Sequence, residues 1–273
     1  PLVLGHQIVG RVAALGEGVE GIPLGARFGV GWLGGTCGRC KYCRRGQENL
    51  CREAAFTGYH RDGGFAEYAV VRAAYAYPLP EAASPESLAP WLCAGLIGYR
   101  AYRLVRDREV LGFYGFGAAA HLLLQVARHE GKRVYAFVRP GDEAAKAFAL
   151  ALGAAWAGDS TEPPPEPLEG AILFAPVGAL VPKALSDLEP GGVAVLAGIH
   201  MSPIPEMPYR LLWEERVLRS VANLTREDAR AFLALAPKVP VRAEVEALPL
   251  EEAERALEAL RRGRARGALV LVP

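Results

Sequence analysis

Four of the five cysteines in this 273-residue chain fall in one short segment, CGRCKYCRRGQENLC. They are Cys37, Cys40, Cys43 and Cys51, separated by two, two and seven residues. Four thiolates at such spacings can close around one tetrahedral Zn²⁺ and leave no open position, which is typical of a structural metal site. Two disulfides or an iron–sulfur cluster are the alternatives, but disulfides this crowded would be strained and such clusters commonly use another spacing. We interpret the segment as a structural zinc lobe.

A glycine-rich loop indicates a dinucleotide site. The segment GFYGFGAAAH holds Gly115, Phe116, Gly117 and Ala120 in the pattern G-x-G-x-x-A. An apolar strand-like run precedes the loop and a helical pattern follows it, and in this context such loops bind a pyrophosphate at a helix N-terminus. The first glycine permits the turn, the second lets the pyrophosphate approach, and the alanine allows close packing of helix and strand.

The end of the next apolar run favours NADP(H) over NAD(H). An NAD-specific site places Asp or Glu about 20 residues after the first glycine, where it binds the ribose 2′-hydroxyl. This chain has Val138 there, followed by Arg139. A guanidinium can pair with a 2′-phosphate through two hydrogen bonds, whereas a carboxylate would repel it. An exposed arginine with relaxed cofactor choice is the alternative.

The elements that position these residues fall into two regions of different texture. Residues 1–80 are rich in glycine and in short β-type runs (7–15, 26–33 and 63–71), which is typical of a small β-barrel. From residue 109 onward, apolar strand-like runs alternate with amphipathic helical patterns. That alternation indicates a parallel sheet covered on both faces.

Local signals predict where several elements begin and end. Ser84 and Pro85 favour the start of a helix with an apolar face, and Gly131 favours a helix end. The proline-rich segment 161–170 is interpreted as a surface loop between two strands. The tail predicts a helix capped at Thr225, a strand near 241–245, a helix over 250–262 and a final strand over 268–272.

Composition excludes some classes of function. The formal net charge of +1 leaves no electrostatic footprint for nucleic acid or an anionic membrane, and the basic cluster 261–266 is interpreted as a solvated end of a helix. No apolar run reaches the roughly 18–20 residues of a membrane span, and no charged-then-apolar leader opens the chain, so we expect a cytoplasmic protein. Scarce Asn and Gln with abundant Pro and Arg favour a thermophilic source, although genomic base composition would give the same bias.

The cysteine spacing, with GHQIVG (5–10) before it and GGFAEY (63–68) after it, resembles the zinc-containing medium-chain alcohol dehydrogenases. The resemblance continues through WLCAGLIGYRAYR (91–103) to the C-terminal segment and covers essentially the whole chain. It is strongest to the bacterial branch related to cinnamyl-alcohol dehydrogenases.

The resemblance implies an α/β protein of two domains. One is a GroES-like β-barrel catalytic domain over 1–94 and 223–273, which carries the zinc lobe over 37–51. The other is a doubly wound Rossmann cofactor domain over 95–222.

In that family the residues that match His6 and Cys93 are ligands of a catalytic zinc. Gln7 stands where a glutamate is usual, and a neutral amide can hydrogen-bond without offsetting the charge of the metal. The third ligand belongs to a segment upstream of the motif that matches His6. We therefore expect that this chain, which begins at Pro1, lacks a segment of the natural protein and that its barrel is incomplete at the N-terminus. A naturally short protein and the absence of the catalytic metal are the alternatives.

The resemblance further implies that Ile199 and His200 lie on the nicotinamide side of the cofactor site. The implied function is the interconversion of alcohols and aldehydes or ketones by hydride transfer, with zinc and NADP(H), on a small-molecule substrate. The implied assembly is a homodimer or homotetramer. Two alternatives stay open: a zinc-free NADPH-dependent quinone or enone reductase, and a non-catalytic NADP(H)-binding protein that holds only the structural zinc.

Overall fold

The computed structural model describes residues 1–239, 241–262 and 267–273. The strands are β1 (Ile8–Arg11), β2 (Arg27–Val30), β3 (Leu33–Gly35), β4 (Ala55–Phe56), β5 (Ala76–Pro78), β6 (Val110–Tyr114), β7 (Arg133–Val138), β8 (Trp156–Asp159), β9 (Leu168–Leu173), β10 (Leu188–Leu196), β11 (Val217–Ser220), β12 (Val245–Pro249) and β13 (Ala268–Val272). The α-helices are α1 (Lys41–Arg44), α2 (Pro85–Leu88), α3 (Ala94–Arg103), α4 (Ala118–His129), α5 (Glu143–Ala151), α6 (Leu180–Asp187), α7 (Arg226–Leu235) and α8 (Ala253–Arg261).

The chain divides into two compact units. The described residues of the first unit lie in Pro1–Leu96, Asn223–Lys238 and Arg242–Pro273. Those of the second lie in Ile97–Ala222 and Val239–Val241.

The second unit is built on a six-stranded sheet in which every pair of neighbours is parallel. The strand order is β11-β10-β9-β6-β7-β8, so the chain adds β7 and β8 on one side of β6 and then β9 to β11 on the other. This order is that of a doubly wound dinucleotide-binding sheet, and the crevice at the reversal between β6 and β9 is where such sheets bind ligands. The predicted parallel sheet is confirmed.

Apolar strands explain why this sheet forms the core of the second unit. All five residues of β6 are buried, and five of the six residues of β7 are buried. The rings of Tyr114 and Phe137, on these neighbouring strands, stack with their centroids 4.1 Å apart. Helix α4 ends just before Gly131, as predicted. The proline-rich segment forms a loop after β8 up to Pro167, and its last three residues, 168–170, already belong to β9.

The described residues of the first unit form three small sheets. An antiparallel sheet has the order β1-β2-β5, β3 pairs with β4 antiparallel, and β12 pairs with β13 parallel. The predicted cap of α7 is confirmed as a capping box: Thr225 Oγ1 accepts from the Asp228 amide at 3.2 Å, and Asp228 accepts from the Thr225 amide at 2.8 Å. These reciprocal bonds satisfy two amides that a helix start leaves free.

Three predicted elements differ in the structure. The strand predicted near 241–245 lies instead at Val245–Pro249, because its register is set by pairing with β13. The run 63–71 forms no strand, and its second half is exposed: Tyr68 is 79% exposed and Val70 is 97% exposed. The helix capped by Ser84 stops after α2, and a 3₁₀ turn at Ala89–Leu92 separates it from α3. Pro90 explains the interruption, since it has no amide for the helical hydrogen bond.

The structure also describes part of the basic cluster and the lengths of the helices. Helix α8 ends at Arg261, and residues 263–266 of the basic cluster lie outside the described residues. Within the described residues, no helix is long and apolar enough to cross a membrane. The thermophilic source stays a prediction.

Candidate metal and cofactor sites

The four cysteine sulfurs of the lobe converge on one point, with their Sγ atoms all within 4.8 Å of one another. The separations are 3.5 Å between Cys40 and Cys43, 3.6 Å between Cys51 and Cys37, and 3.9 Å between Cys37 and Cys43. A tetrahedral zinc with bonds of 2.3 Å requires about 3.8 Å between sulfurs, whereas a disulfide requires about 2.05 Å. All five cysteines are free. The cluster therefore fits a structural zinc and not disulfides.

Local hydrogen bonds arrange these sulfurs. Cys40 caps α1, where its sulfur accepts from the Cys43 amide at 3.5 Å, and the Cys37 sulfur accepts from the Cys40 amide at 3.4 Å. Hydrogen bonding by the Cys43 amide lowers the pKa of Cys40 to about 7, whereas burial raises the pKa of Cys51 to about 11. Hydrogen bonds from backbone amides favour the thiolate, which is the form of cysteine that binds a metal.

A buried ion pair fastens the lobe to α7. Glu48 lies between the third and fourth cysteines and is 4% exposed. One of its oxygens accepts from the amide of Arg226 at 3.0 Å and from its Nε at 3.1 Å. The Arg226 guanidinium also lies over the Tyr75 ring, 5.0 Å from its centroid, and the Tyr75 hydroxyl is 2.7 Å from Thr36 Oγ1. The ends of the lobe are therefore attached to the rest of the first unit.

These hydrogen bonds stabilise the ionised form of the Glu48 carboxyl. Burial favours the neutral carboxyl, but the backbone amides and the Arg226 guanidinium outweigh it, so the pKa of Glu48 lies below its ordinary value. Sequence reasoning missed both residues. The available signal was a carboxylate inside the cysteine segment, but nothing local identified its partner, which lies 178 positions later.

The first unit also brings His6 and Cys93 together. The His6 Nε2 and Cys93 Sγ atoms lie 3.1 Å apart although the residues are separated by 87 positions. His6 lies two residues before the start of β1, and Cys93 occupies the break before α3. Zinc ligands with bonds of about 2.0 Å to nitrogen and 2.3 Å to sulfur lie about 3.6 Å apart in a tetrahedral site, so the pair fits one ion.

Burial sets the protonation of this pair. It lowers the pKa of His6, so the neutral imidazole that a metal requires is favoured at pH 7. It raises the pKa of Cys93, and a hydrogen bond with the exposed Gln7 side chain partly opposes that effect. Among the described residues, the four cysteines of the lobe are the one cluster of three or more side chains that could bind a metal ion. His6 and Cys93 contribute two such side chains to a second position.

Aromatic rings border the pair. The Trp32 ring meets His6 edge-on with centroids 4.9 Å apart and stacks on Phe56, also at 4.9 Å. Tyr59, which is 63% exposed, lies 5.8 Å from Trp32. Sequence reasoning missed this aromatic wall, although a tryptophan shortly before the first cysteine of the lobe was a usable signal.

The glycine loop of the second unit lies at the reversal of strand order. Gly115 follows β6 with a φ of +90°, and a Cβ there would lie 2.7 Å from the backbone nitrogen of Ala175, which follows β9. Any side chain would therefore clash. Gly117 is the N-cap of α4, and a Cβ on it would meet nothing within 4 Å. Ala120 is fully buried, and the Phe116 ring packs edge-on against Phe148 with centroids 5.9 Å apart.

A pyrophosphate binds to the free amides at a helix N-terminus when a tight turn precedes the helix and no side chain blocks the ligand. The loop at Gly115 and Gly117 has these features.

The remaining predicted cofactor residues follow strands of the same sheet. Arg139 comes directly after β7, is exposed, and makes no ion pair with any residue that the structure describes. Asp159, at the end of β8, is already paired with Lys146 at 2.7 Å, and this bond lowers the pKa of the carboxyl. Ile199 is 71% exposed and His200 has a φ of 55°, both after β10. Because carboxyl ends of parallel strands share one edge, these residues lie along the edge that carries the glycine loop.

Comparison with known proteins gives consistent matches. Residues 1–81 match the family model of the alcohol dehydrogenase GroES-like domain. The chain is 46% identical over 281 residues to the probable alcohol dehydrogenase AdhA of Mycobacterium tuberculosis (strain CDC 1551 / Oshkosh), an alignment that covers 99% of this chain and 80% of that protein. It is 33% identical to an alcohol dehydrogenase of Geobacillus stearothermophilus, covering 99% and 82%.

Among solved structures, a cinnamyl alcohol dehydrogenase of Sorghum bicolor aligns with a TM-score of 0.89 at 26% identity, over 99% of this chain and 81% of that one. The predicted α/β class, with a GroES-like domain and a doubly wound sheet, is thereby confirmed.

The ion pair of the lobe yields a stability prediction. Glu48→Gln is expected to lower the free energy of unfolding at pH 7 by about 1–3 kcal/mol, because Arg226 then keeps a half-buried charge without its carboxylate. Urea unfolding followed by circular dichroism measures the change. Glu53→Gln is the matched control, since it removes an exposed carboxylate 3.7 Å from Arg39 and is expected to cost less than about 0.5 kcal/mol.

The same variant has a predictable pH dependence. A carboxyl whose pKa is lowered on folding contributes stability above its unfolded value of about 4.3, and that contribution is lost as the pH falls through the folded-state value. The difference between wild type and Glu48→Gln should therefore shrink under acid conditions. A difference that stayed constant down to about pH 3 would contradict the assignment of the effect to charge.

Proposed function

Because this chain belongs to the zinc-containing medium-chain alcohol dehydrogenases, we propose that it interconverts alcohols and aldehydes or ketones with NADP(H) and a catalytic zinc. Family membership makes the chain an alcohol oxidoreductase, and the metal and the choice of NADP(H) are the proposal. The observation that carries it is the meeting of His6 Nε2 and Cys93 Sγ at 3.1 Å. A neutral imidazole and a thiol from distant parts of the chain are the donor types that zinc prefers.

When bound, zinc supplies the Lewis acidity that polarises a carbonyl oxygen or lowers the pKa of an alcohol, and the nicotinamide supplies or accepts the hydride. His6 would offer a neutral ligand and Cys93 an anionic one. The hydrogen bond of Gln7 supports the Cys93 thiolate and orients it, and its neutral amide leaves the charge of the site unchanged. The Trp32 and Phe56 rings beside His6 support a substrate with an apolar or aromatic group next to its carbonyl.

The loop around Gly115 and Gly117 and the N-terminus of α4 would hold the pyrophosphate. Arg139 would select the 2′-phosphate, because its guanidinium is exposed and has no described counter-charge, while Asp159 is engaged by Lys146. Ile199 and His200 would border the nicotinamide, since they follow β10 at the same edge of the sheet.

The assembly is proposed to be a homodimer, with a homotetramer as the further possibility. In the described chain β11 pairs only with β10, so its outer edge carries free backbone groups. Val217 on that strand is 45% exposed, and Trp213 just before it is 61% exposed. An open strand edge next to exposed apolar side chains favours pairing with a second copy.

The edge strand gives a test of assembly. Sedimentation equilibrium of the wild type should return at least twice the 29.2 kDa of one chain. Val217→Asp should shift the mass toward the monomer, because it adds charge to the paired edge. Val70→Asp is the control at a residue that is 97% exposed, and its mass should not change. A wild type that sediments as a monomer would contradict the proposed assembly.

The catalytic metal is tested by comparing two cysteine variants. Cys93→Ser should keep the lobe zinc and a cooperative unfolding transition but lose at least about 100-fold in kcat/KM for aldehydes. Cys51→Ser should lose the lobe zinc and unfold at a lower temperature, because the four-sulfur site is broken. The number of zinc ions per chain is measured by inductively coupled plasma mass spectrometry. The rate of NADPH oxidation is measured with aldehydes and with quinones in parallel.

The rival functions give different results in the same experiment. A quinone or enone reductase would use quinones, bind one zinc and keep its activity in Cys93→Ser. A non-catalytic NADP(H)-binding protein would bind one zinc and oxidise no NADPH.

Cofactor choice is tested at Arg139. Arg139→Asp should lower kcat/KM for NADPH by about 10–100-fold and leave that for NADH unchanged or higher, because a carboxylate repels the 2′-phosphate and can bind the 2′-hydroxyl. Arg210→Gln removes another exposed arginine of the second unit and is the control. A wild type that binds NADH far more tightly than NADPH would show that Arg139 is not the selector.

A further inference from the structure

Two arginines of the first unit converge on the bare backbone of Gly35 at the end of β3. A Cβ placed on Gly35 would lie 3.0 Å from an Nη atom of Arg72 and 3.7 Å from Nε of Arg61. Gly35 itself is buried, whereas both arginines are exposed. The two guanidinium groups therefore share one small surface area directly above a residue that has no side chain.

Within the described part of the chain, no carboxylate pairs with either guanidinium group. Among the residues that the structure describes, neither Arg61 nor Arg72 forms an ion pair or a side-chain hydrogen bond. Other arginines of the same unit are paired: Arg11 lies 2.8 Å from Glu81, and Arg226 lies 3.1 Å from Glu48. Two like charges held near one point repel each other, so an anion between them would lower the free energy of this arrangement.

We propose that Arg61 and Arg72, over Gly35, form a binding site for a phosphate dianion, as the free ion or as the end of a phosphomonoester. Guanidinium groups present parallel N–H donors that match the oxygen spacing of phosphate, and two of them balance a charge of −2. The absence of a Cβ on Gly35 lets both guanidinium groups lie close to the backbone of β3 and therefore close to each other. The site uses none of the residues of the proposed zinc and cofactor sites, so its test needs no turnover.

Binding is measured by isothermal titration calorimetry of the full chain with inorganic phosphate, at constant ionic strength set with chloride. Arg61→Gln and Arg72→Gln should each weaken phosphate binding by about tenfold or more, because each removes one charged fork. Gly35→Ala should weaken it as well, since the added methyl displaces the Arg72 guanidinium while both charges remain. Arg52→Gln removes an exposed arginine elsewhere in the unit and should bind like the wild type.

A pH series and a second ligand sharpen the test. Arginine stays charged throughout, so affinity for phenyl phosphate should rise as the pH passes its second pKa near 6, where the dianion forms. Phenyl phosphate that binds as tightly as phosphate assigns the site to monoesters, and binding of phosphate alone assigns it to the free ion. The proposal is overturned by an absence of phosphate binding, or by binding that is equal in all the variants.

Discussion

Four sulfur atoms confined within 4.8 Å of one another impose the strongest constraint on the first unit. As thiolates they would repel each other strongly, and as thiols they would leave weakly hydrogen-bonded groups in a tight loop. A single divalent cation resolves both problems, which is why the geometry fits zinc so closely. The surrounding chain conforms to this cluster. Amides of the loop point at sulfur, Cys40 caps α1, and Glu48 carries the attachment to α7.

The second unit follows from a different constraint, the close approach of two backbones at the reversal of strand order. The chain turns at Gly115 against Ala175, and both segments leave their strands at the same edge of the sheet. A side chain at Gly115 would separate them. The same crowding leaves the N-terminus of α4 open beside the turn, so packing and anion binding arise from one arrangement.

Local chemistry made much of this predictable. The cysteine spacing and the glycine pattern are contained in short segments, and the apolar runs from residue 109 onward indicated a parallel sheet without knowledge of partners. The errors came where distant partners decide the outcome. The strand at Val245–Pro249 takes its register from β13. The run 63–71 forms no strand, although the amides of its first three residues donate to carbonyls of residues 3–5. Glu48 and Trp32 are visible in the sequence near the cysteines, but nothing local identifies Arg226 as the partner of Glu48 or His6 as the ring that Trp32 contacts.

The separation of Glu48 and Arg226 also has a consequence for biosynthesis. The cysteines at the two ends of the lobe are 14 positions apart, so all the sulfurs leave the ribosome together. Arg226 follows Glu48 by 178 positions, and at 5–20 residues per second it is synthesised roughly 9–36 s later. During that interval the lobe exists without its partner on α7, while its complete set of thiols is already exposed to the metal pool. The lobe can therefore bind its metal before α7 is synthesised and packs against it, because the cysteines precede Arg226 in the sequence.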